Sequence, residues 1–306
     1  MIHDSIHRPV LLNEVIKFLN PRPGEFIIDG TLGGGGHATE ILEFVGRDGR
    51  LLGIDWNAQA IARCREQMKN YPTVILLQEN YANILEILSA KGGSAAGGNE
   101  NLGKADGLLL DLGFSSDELE FSGRGFSFRK DEPLLMTYDN SRLPVRDILS
   151  QTNEEELARI IYEFGEERFS RRIAKAIKES ARKKKIETSG ELAGIIAAAL
   201  PKNYERGRIH PATRTFQALR IYANDELGNL KTILDALPQI LKDGGRAVII
   251  SFHSLEDRLV KNAFRDMAKA GTAEILTKKP ITSSQEEIAS NPRSRSAKLR
   301  AIRIAS

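Results

Sequence analysis

The sequence predicts an α/β fold in which a doubly wound, largely parallel sheet is wrapped by helices and interrupted by an all-helical insertion. Three observations carry this. Short apolar runs that end in polar residues alternate with helical patterns through the first hundred or so residues. Four consecutive glycines, Gly33 to Gly36, fall between the first such strand and the first helix. From about 143 to 246 the pattern is helical, with no strand candidate. The 306 residues suit one large domain or two smaller ones. The expected division is a discontinuous domain of 1–139 and 213–306 around a helical insertion at 140–212.

Taken in order, EFIID (25–29) is the first strand and 37–45 the first helix. RLLGID (50–55) is a strand, 57–69 a helix and TVILLQ (73–78) a strand. A helix at 82–91 leads to DGLLLD (106–111), apolar enough for a central parallel strand. KGGSAAGGNENLGK between them reads as a mobile surface loop. Helices follow at 154–164 and 166–184, with Gly165 as the break, and at 190–199. A long helix runs from 213 to about 241. GRAVIISF, from Gly245, returns to the sheet, and the alternating 297–304 segment ends it.

Composition excludes several classes. Hydrophobic residues at 41% and charged residues at 28% are ordinary for a globular chain, not for a disordered or collagen-like one. Cys64 is the single cysteine, so neither an internal disulfide nor a Cys-rich zinc site can form. Of the five histidines, at 3, 7, 37, 210 and 253, only His3 and His7 have i, i+4 spacing, so no metal site is expected. The N-terminus has no apolar core of a signal peptide, and no stretch approaches the roughly 18 apolar residues of a membrane span. The expectation is a soluble, cytoplasmic protein.

DGTLGGGGH (29–37) is a ligand loop. Glycines let the backbone turn with positive φ and approach a ligand, and the helix beyond offers free N–H donors. Gly33 to Ala38 satisfies G-x-G-x-x-A, which allows a dinucleotide, whereas no G-x-x-x-x-G-K-[ST] is present. Asp55, ending the second strand, is placed to take the two hydroxyls of a ribose, a need shared by NAD and S-adenosylmethionine. DLGFSS (111–116) puts Asp111 at a strand end with Phe114 three positions on. That is similar to the D/N/S-P-P-aromatic motif of amino-group methyltransferases. An exocyclic base amine is a poor nucleophile because its lone pair is delocalised into the ring, so such enzymes work by positioning and electrostatics. Asp111 and loop carbonyls would accept the amine hydrogens, and Phe114 would stack on a flipped base. An NAD-type oxidoreductase and a non-catalytic RNA-binding protein are the other readings. The first leaves DLGFSS unused, and the second leaves the glycine loop and Asp55 without purpose.

The chain resembles the bacterial 16S ribosomal RNA cytosine-N4 methyltransferases of the MraW/RsmH type. The resemblance runs through HRPVLLNE (7–14), DGTLGGGGH (29–37), GRLLGID (49–55), LLLDLGFSS (108–116), GRGFSFR (123–129) and YEFGEERFSRRIAKAI (162–177). It continues in HPATRTFQALRIYANDEL (210–227), SFHSLEDRLVK (251–261) and NPRSRSAKLR (291–300). It implies a Rossmann-like class I S-adenosylmethionine-dependent methyltransferase sheet. It also implies methylation of a cytosine N4 in the decoding (P-site) region of 16S rRNA, within the small ribosomal subunit. Carried over by position, cofactor contacts fall on Gly35, Gly36, His37, Asp55, Tyr81, Asp111 and Glu118, with Asp111 also the candidate catalytic residue. Glu118 stands where the family usually has Gln, and a carboxylate cannot donate an amide's hydrogen bonds. EPLLMTYD (132–139) replaces GPLDMRMD, so no catalytic role is assigned there.

Lys and Arg number 44 against 41 Asp and Glu, for a net +3, but the charge is clustered. Residues 168–185 hold nine basic side chains and one acid, and 291–306 hold five basic side chains and no acid. That is the footprint of a phosphate-binding surface. Arg168, Arg171, Arg172, Arg214, His253, Arg258, Arg293 and Arg295 are the candidate RNA contacts. His210, Arg214, His253 and Arg258 are expected near the target base. Cytosine-C5 methylation usually runs through a cysteine nucleophile, and Cys64 is expected mid-helix, away from the strand ends, which favours direct transfer to an amine.

Overall fold

The structure is a computed structural model that describes residues 9–89, 102–113, 122–204 and 209–305. It divides into two compact units, 1–113 with 227–306, and 114–226. The first unit carries α1 (Leu12–Leu19), β1 (Phe26–Asp29), α2 (Gly36–Val45), β2 (Arg50–Asp55), α3 (Ala58–Gln67), β3 (Val74–Gln78), α4 (Ile84–Ser89) and β4 (Ala105–Asp111). The second carries α5 (Val145–Gln151), α6 (Glu154–Gly165), α7 (Ser170–Lys183), α8 (Ser189–Ala199) and α9 (Thr213–Asn224). The chain returns to the first through α10 (Glu226–Ile240), β5 (Leu241–Ser251), α11 (Ser254–Lys269), β6 (Ala273–Ile275), α12 (Gln285–Ser290) and β7 (Lys298–Ile304).

The strands form one seven-stranded sheet in the order β3-β2-β1-β4-β5-β7-β6. β1 to β5 are parallel and β7 is antiparallel to both its neighbours. The 3-2-1-4-5 run is that of doubly wound nucleotide-binding folds, in which ligands sit beyond the carboxyl ends of the strands. Period-2 alternation sends successive side chains to opposite faces. Ile28, Ile54, Leu108 and Leu110 join the core under α4, α10 and α11. Ile27, Leu51 and Leu109 join the core under α1, α2 and α3. β4 is apolar throughout its centre because both faces are covered.

The helical unit has its own core, drawn from 126–223. In α7, Ser170, Ile173, Ala174 and Ile177 face inward at helical spacing, leaving Arg171, Arg172, Lys175, Arg182 and Lys183 exposed. The unit is wider than the expected 140–212. Phe126, Leu134 and Met136 before it, and Phe216, Leu219 and Ala223 of α9 after it, pack into this core and not into the sheet's.

Several boundaries differ from expectation. The long helix at 213–241 is two helices, because Asp225 turns left-handed at φ 51°. The break after α6 falls on Glu166 (φ 49°), with Gly165 still helical. Gly165 serves packing instead: a Cβ there would lie 2.6 Å from the Arg214 carbonyl oxygen and 3.2 Å from the Ala218 Cβ, so glycine lets α6 approach α9. α1, α5, α11, β6 and α12 have no counterpart among the expected elements. Among the described residues, no helix is long and apolar enough to cross a membrane. Most of the expected 91–104 loop lies outside the described residues.

Candidate active site

Three carboxylates end three neighbouring strands: Asp29 on β1, Asp55 on β2 and Asp111 on β4. Backbone hydrogen bonds join those ends. Asp55 Oδ2 accepts from the Gly33 N–H at 2.7 Å and Oδ1 from the Asn57 N–H at 2.8 Å. Thr31 Oγ1 accepts from the Asp111 N–H at 2.6 Å, and Asp29 Oδ1 accepts from the Thr31 N–H at 3.1 Å. The glycine loop is thus held to both neighbouring strands by its own acids and threonine.

Only part of the glycine run serves the turn. Gly35 caps α2 at φ 77°, and a Cβ there would lie 2.9 Å from Cys64 Sγ and 3.1 Å from Met68 Cε. Glycine is therefore needed twice over, for the left-handed backbone and for contact with α3 behind it. Among the described residues, a Cβ at Gly33 would come within 4 Å of the Thr31 carbonyl oxygen alone, at 3.9 Å.

Cys64 lies closer to this edge than expected. It is buried in α3 with Sγ 3.6 Å from the Gly33 carbonyl oxygen, supporting the loop from its protein side. Burial and the nearby Asp29 charge push its thiol up to about 11, so it is a poor thiolate source.

His37, buried in the first turn of α2, donates from Nε2 to the Val10 carbonyl oxygen at 3.0 Å. This leaves Nδ1 3.8 Å from Asp111 Oδ2. Asp111 Oδ1 is buried and has no hydrogen-bond partner among the described residues. Burial, then the charge of Asp29, pushes Asp111 up to about 7, against the Gly113 N–H bond that favours the carboxylate. Burial likewise raises Asp29 to about 7, with Asp55 adding to the shift. Asp55 is raised in the same direction by burial, opposed by its two N–H donors and by Arg63. Tyr81 opens a 3₁₀ turn after β3, positioned by Asn80, whose Oδ1 accepts from the Ala82 N–H at 2.9 Å.

The structure therefore brings Gly35, Gly36, His37, Asp55, Tyr81 and Asp111 to the carboxyl edge of one sheet. Glu118 and Phe114 lie outside the described residues. Asp29, Thr31 and Val10 had no assigned role. The Asp-Gly-Thr step straight after an apolar strand was the available signal for the first two; nothing local marks Val10, whose carbonyl oxygen orients His37 from 27 residues away.

The basic residues separate into two groups. Lys178 Nζ donates to the carbonyl oxygens of Leu149 (2.7 Å) and Thr152 (2.6 Å), closing the end of α5. Lys184 pairs with Glu191, and Lys185 with Asp147. Arg171, Arg172, Arg182 and Lys183 are exposed on α7, and Arg168 just before it lies over the Phe169 ring. In the C-terminal run, Arg300 and Lys298 both pair with Asp257 of α11, and Arg303 pairs with Glu274 of β6. Much of that run fastens β7, leaving Arg293 and Arg295 on the turn before it. His253 and Arg258 belong to the sheet unit and Arg214 to the helical unit. His253 is the N-cap of α11, its Nδ1 accepting from the Glu256 N–H at 3.4 Å while Glu256 reaches back to the Phe252 N–H at 2.8 Å.

A doubly wound sheet with a glycine turn at its first crossing and acids on strands 1, 2 and 4 is the apparatus of an enzyme that uses a nucleoside cofactor. The sequence profile of the MraW methylase family matches residues 4–305. Proteins named ribosomal RNA small subunit methyltransferase H are similar over nearly the whole chain. That of Koribacter versatilis is 46% identical, covering 98% of this chain and 94% of its own. That of Deinococcus deserti is 47% identical, covering 97% and 92%, and that of Geotalea uraniireducens 44%, covering 97% and 98%. The chain belongs to the MraW methylase family, whose members are S-adenosylmethionine-dependent methyltransferases. This sets aside the oxidoreductase and non-catalytic readings.

Proposed function

We propose that this protein transfers a methyl group to the exocyclic N4 of a cytosine in the decoding (P-site) region of 16S ribosomal RNA, acting on the small ribosomal subunit. The observation that carries the reading is Asp111. Its buried Oδ1 is an acceptor without a partner among the described residues, at the strand end where the ligand of such a sheet sits.

The edge suits the donor. Asp55 has given one lone pair per oxygen to Gly33 and Asn57, and a second remains on each for the two ribose hydroxyls. When bound, S-adenosylmethionine supplies a methyl group activated by its sulfonium charge. This chain's residues do the rest. Asp111 accepts a hydrogen from the amine, drawing the nitrogen lone pair out of conjugation, and takes the proton that nitrogen sheds as its bond to the methyl carbon forms. A carboxylate held at about 7 can take that proton and return it to solvent near neutral pH. His37, held by the Val10 carbonyl oxygen, lies beside the acid, with Nδ1 3.8 Å from Oδ2. Cys64, buried and hard to ionise, fits no covalent adduct on the base.

On the substrate side, the reading is supported by the relatives' names and by the exposed arginines of α7. Arg168, Arg171 and Arg172 would contact phosphates, with Arg214, His253, Arg258, Arg293 and Arg295 as further candidates. The test is transfer of labelled methyl from S-adenosylmethionine to small subunits that lack the modification. Label is expected in 16S RNA; label confined to the subunit's proteins, or none, would overturn the reading.

A further inference from the structure

In the helical unit three rings are piled from the core to the surface. Phe216 is buried in α9. The half-buried Phe128 meets it edge-on, with ring centroids 5.3 Å apart and planes at 87°. The exposed His210 ring then lies flat on Phe128, with centroids at 4.2 Å and an interplanar angle of 17°. The imidazole is fixed in its plane as well, because Nδ1 accepts from the Ala212 N–H at 3.2 Å. In the neutral ring that bond places the proton on Nε2, which becomes a donor. The outermost ring of the pile is thus flat, exposed and already immobilised, with one polar atom at its edge.

We infer that His210 is a stacking platform for an unpaired base of the RNA substrate, an inference that rests on the RNA reading above. Single-stranded RNA is read by stacking splayed bases on aromatic or imidazole rings, while basic groups hold the flanking phosphates. The neighbouring described residues supply the charge: Lys202 and Arg214 on either side of His210 in the chain, and Arg129 and Lys130 directly after Phe128. A ring that only covered Phe128 would need neither the flat geometry nor the orienting bond. An immobilised ring also loses little entropy when a base lands on it. His210 touches the substrate directly and serves its binding.

The test measures KM for unmethylated small subunits in the labelled-methyl assay, for the parent chain and for His210→Leu, His210→Phe and His210→Trp. Leucine keeps Phe128 covered but has no π face; phenylalanine and tryptophan keep the face. His210→Leu is expected to raise KM about tenfold, a loss within the measured range for one stacked base, with kcat and S-adenosylmethionine affinity unchanged; all three variants lose the Ala212 bond and share any fall in melting temperature, so only KM separates leucine from the aromatic variants. The two aromatic variants are expected to restore KM. In His210→Trp the added indole emission is expected to be quenched by a single-stranded oligoribonucleotide. Parental KM in His210→Leu, or failure of both aromatic variants to rescue it, would overturn the inference while leaving the RNA reading intact. A parent chain that transfers no methyl to the subunit would overturn the RNA reading itself.

Discussion

Asp111 and Asp55 are both acids at strand ends, yet the chain uses them differently. Asp55 spends its bonds on the loop, so Asp55→Ala is expected to abolish S-adenosylmethionine binding in calorimetry and to cost about 1–3 kcal/mol of stability through the unpaired Gly33 and Asn57 N–H groups. Asp111 is an uncompensated buried acid, with Asp29 and Glu256 as like charges and His37 beside it. Its pKa rises from 3.8 to about 7 on folding, so between those values the native state holds a proton the unfolded chain has lost. Its contribution to stability is therefore fully present below 3.8 and is lost as pH rises through about 7. In the proposed mechanism the carboxylate is the working form, so activity should run the other way. The kcat profile is expected to rise through about 7 while the melting temperature falls over the same range. Asp111→Asn should be nearly inactive, yet melt higher than the parent at pH 8. An inactive variant that melted lower would mean the acid is structural.

At the scale of elements, the loop and helix contacts define what was legible in the sequence. The first four strands could be placed within a residue or two because their apolar runs stand out, and the glycine run marked the turn at their carboxyl edge. What could not be read depended on contacts distant in sequence. The role of Gly165 is set by α9, Cys64 reaches the loop only through the packing of α3, and Lys298, Arg300 and Arg303 of the C-terminal basic run pair with Asp257 and Glu274 on other elements. The Gly35–Cys64 contact gives a prediction. Gly35→Ala is expected to destabilise the chain by about 1–3 kcal/mol and weaken cofactor binding, from the left-handed backbone and overpacking together. Adding Cys64→Ala should recover only the packing part, which thermal melting and calorimetry of the double variant would show. Cys64→Ala alone should keep methyl transfer. In the helical unit, Lys178→Met should lower thermal stability by removing the ammonium from the Leu149 and Thr152 carbonyls. Arg171→Ala with Arg172→Ala should leave the fold intact but raise KM for the subunit and flatten its salt dependence.

For the whole molecule, the near-neutral charge total conceals a division of labour. The sheet unit spends its ionic groups on holding β7 and the strand ends in place, and the helical unit keeps exposed arginines on α7. The proposed function accordingly places the chemistry at the carboxyl edge of the sheet and phosphate recognition chiefly on the helical surface. The central claim is that the methyl group goes directly to an amine beside Asp111. The product nucleoside tests it most directly, by mass spectrometry of digested 16S RNA after reaction with the parent chain and with Asp111→Asn. N4-methylcytidine is expected from the parent and almost none from Asp111→Asn. A 5-methylcytidine product, or undiminished N4-methylcytidine from Asp111→Asn, would contradict the account.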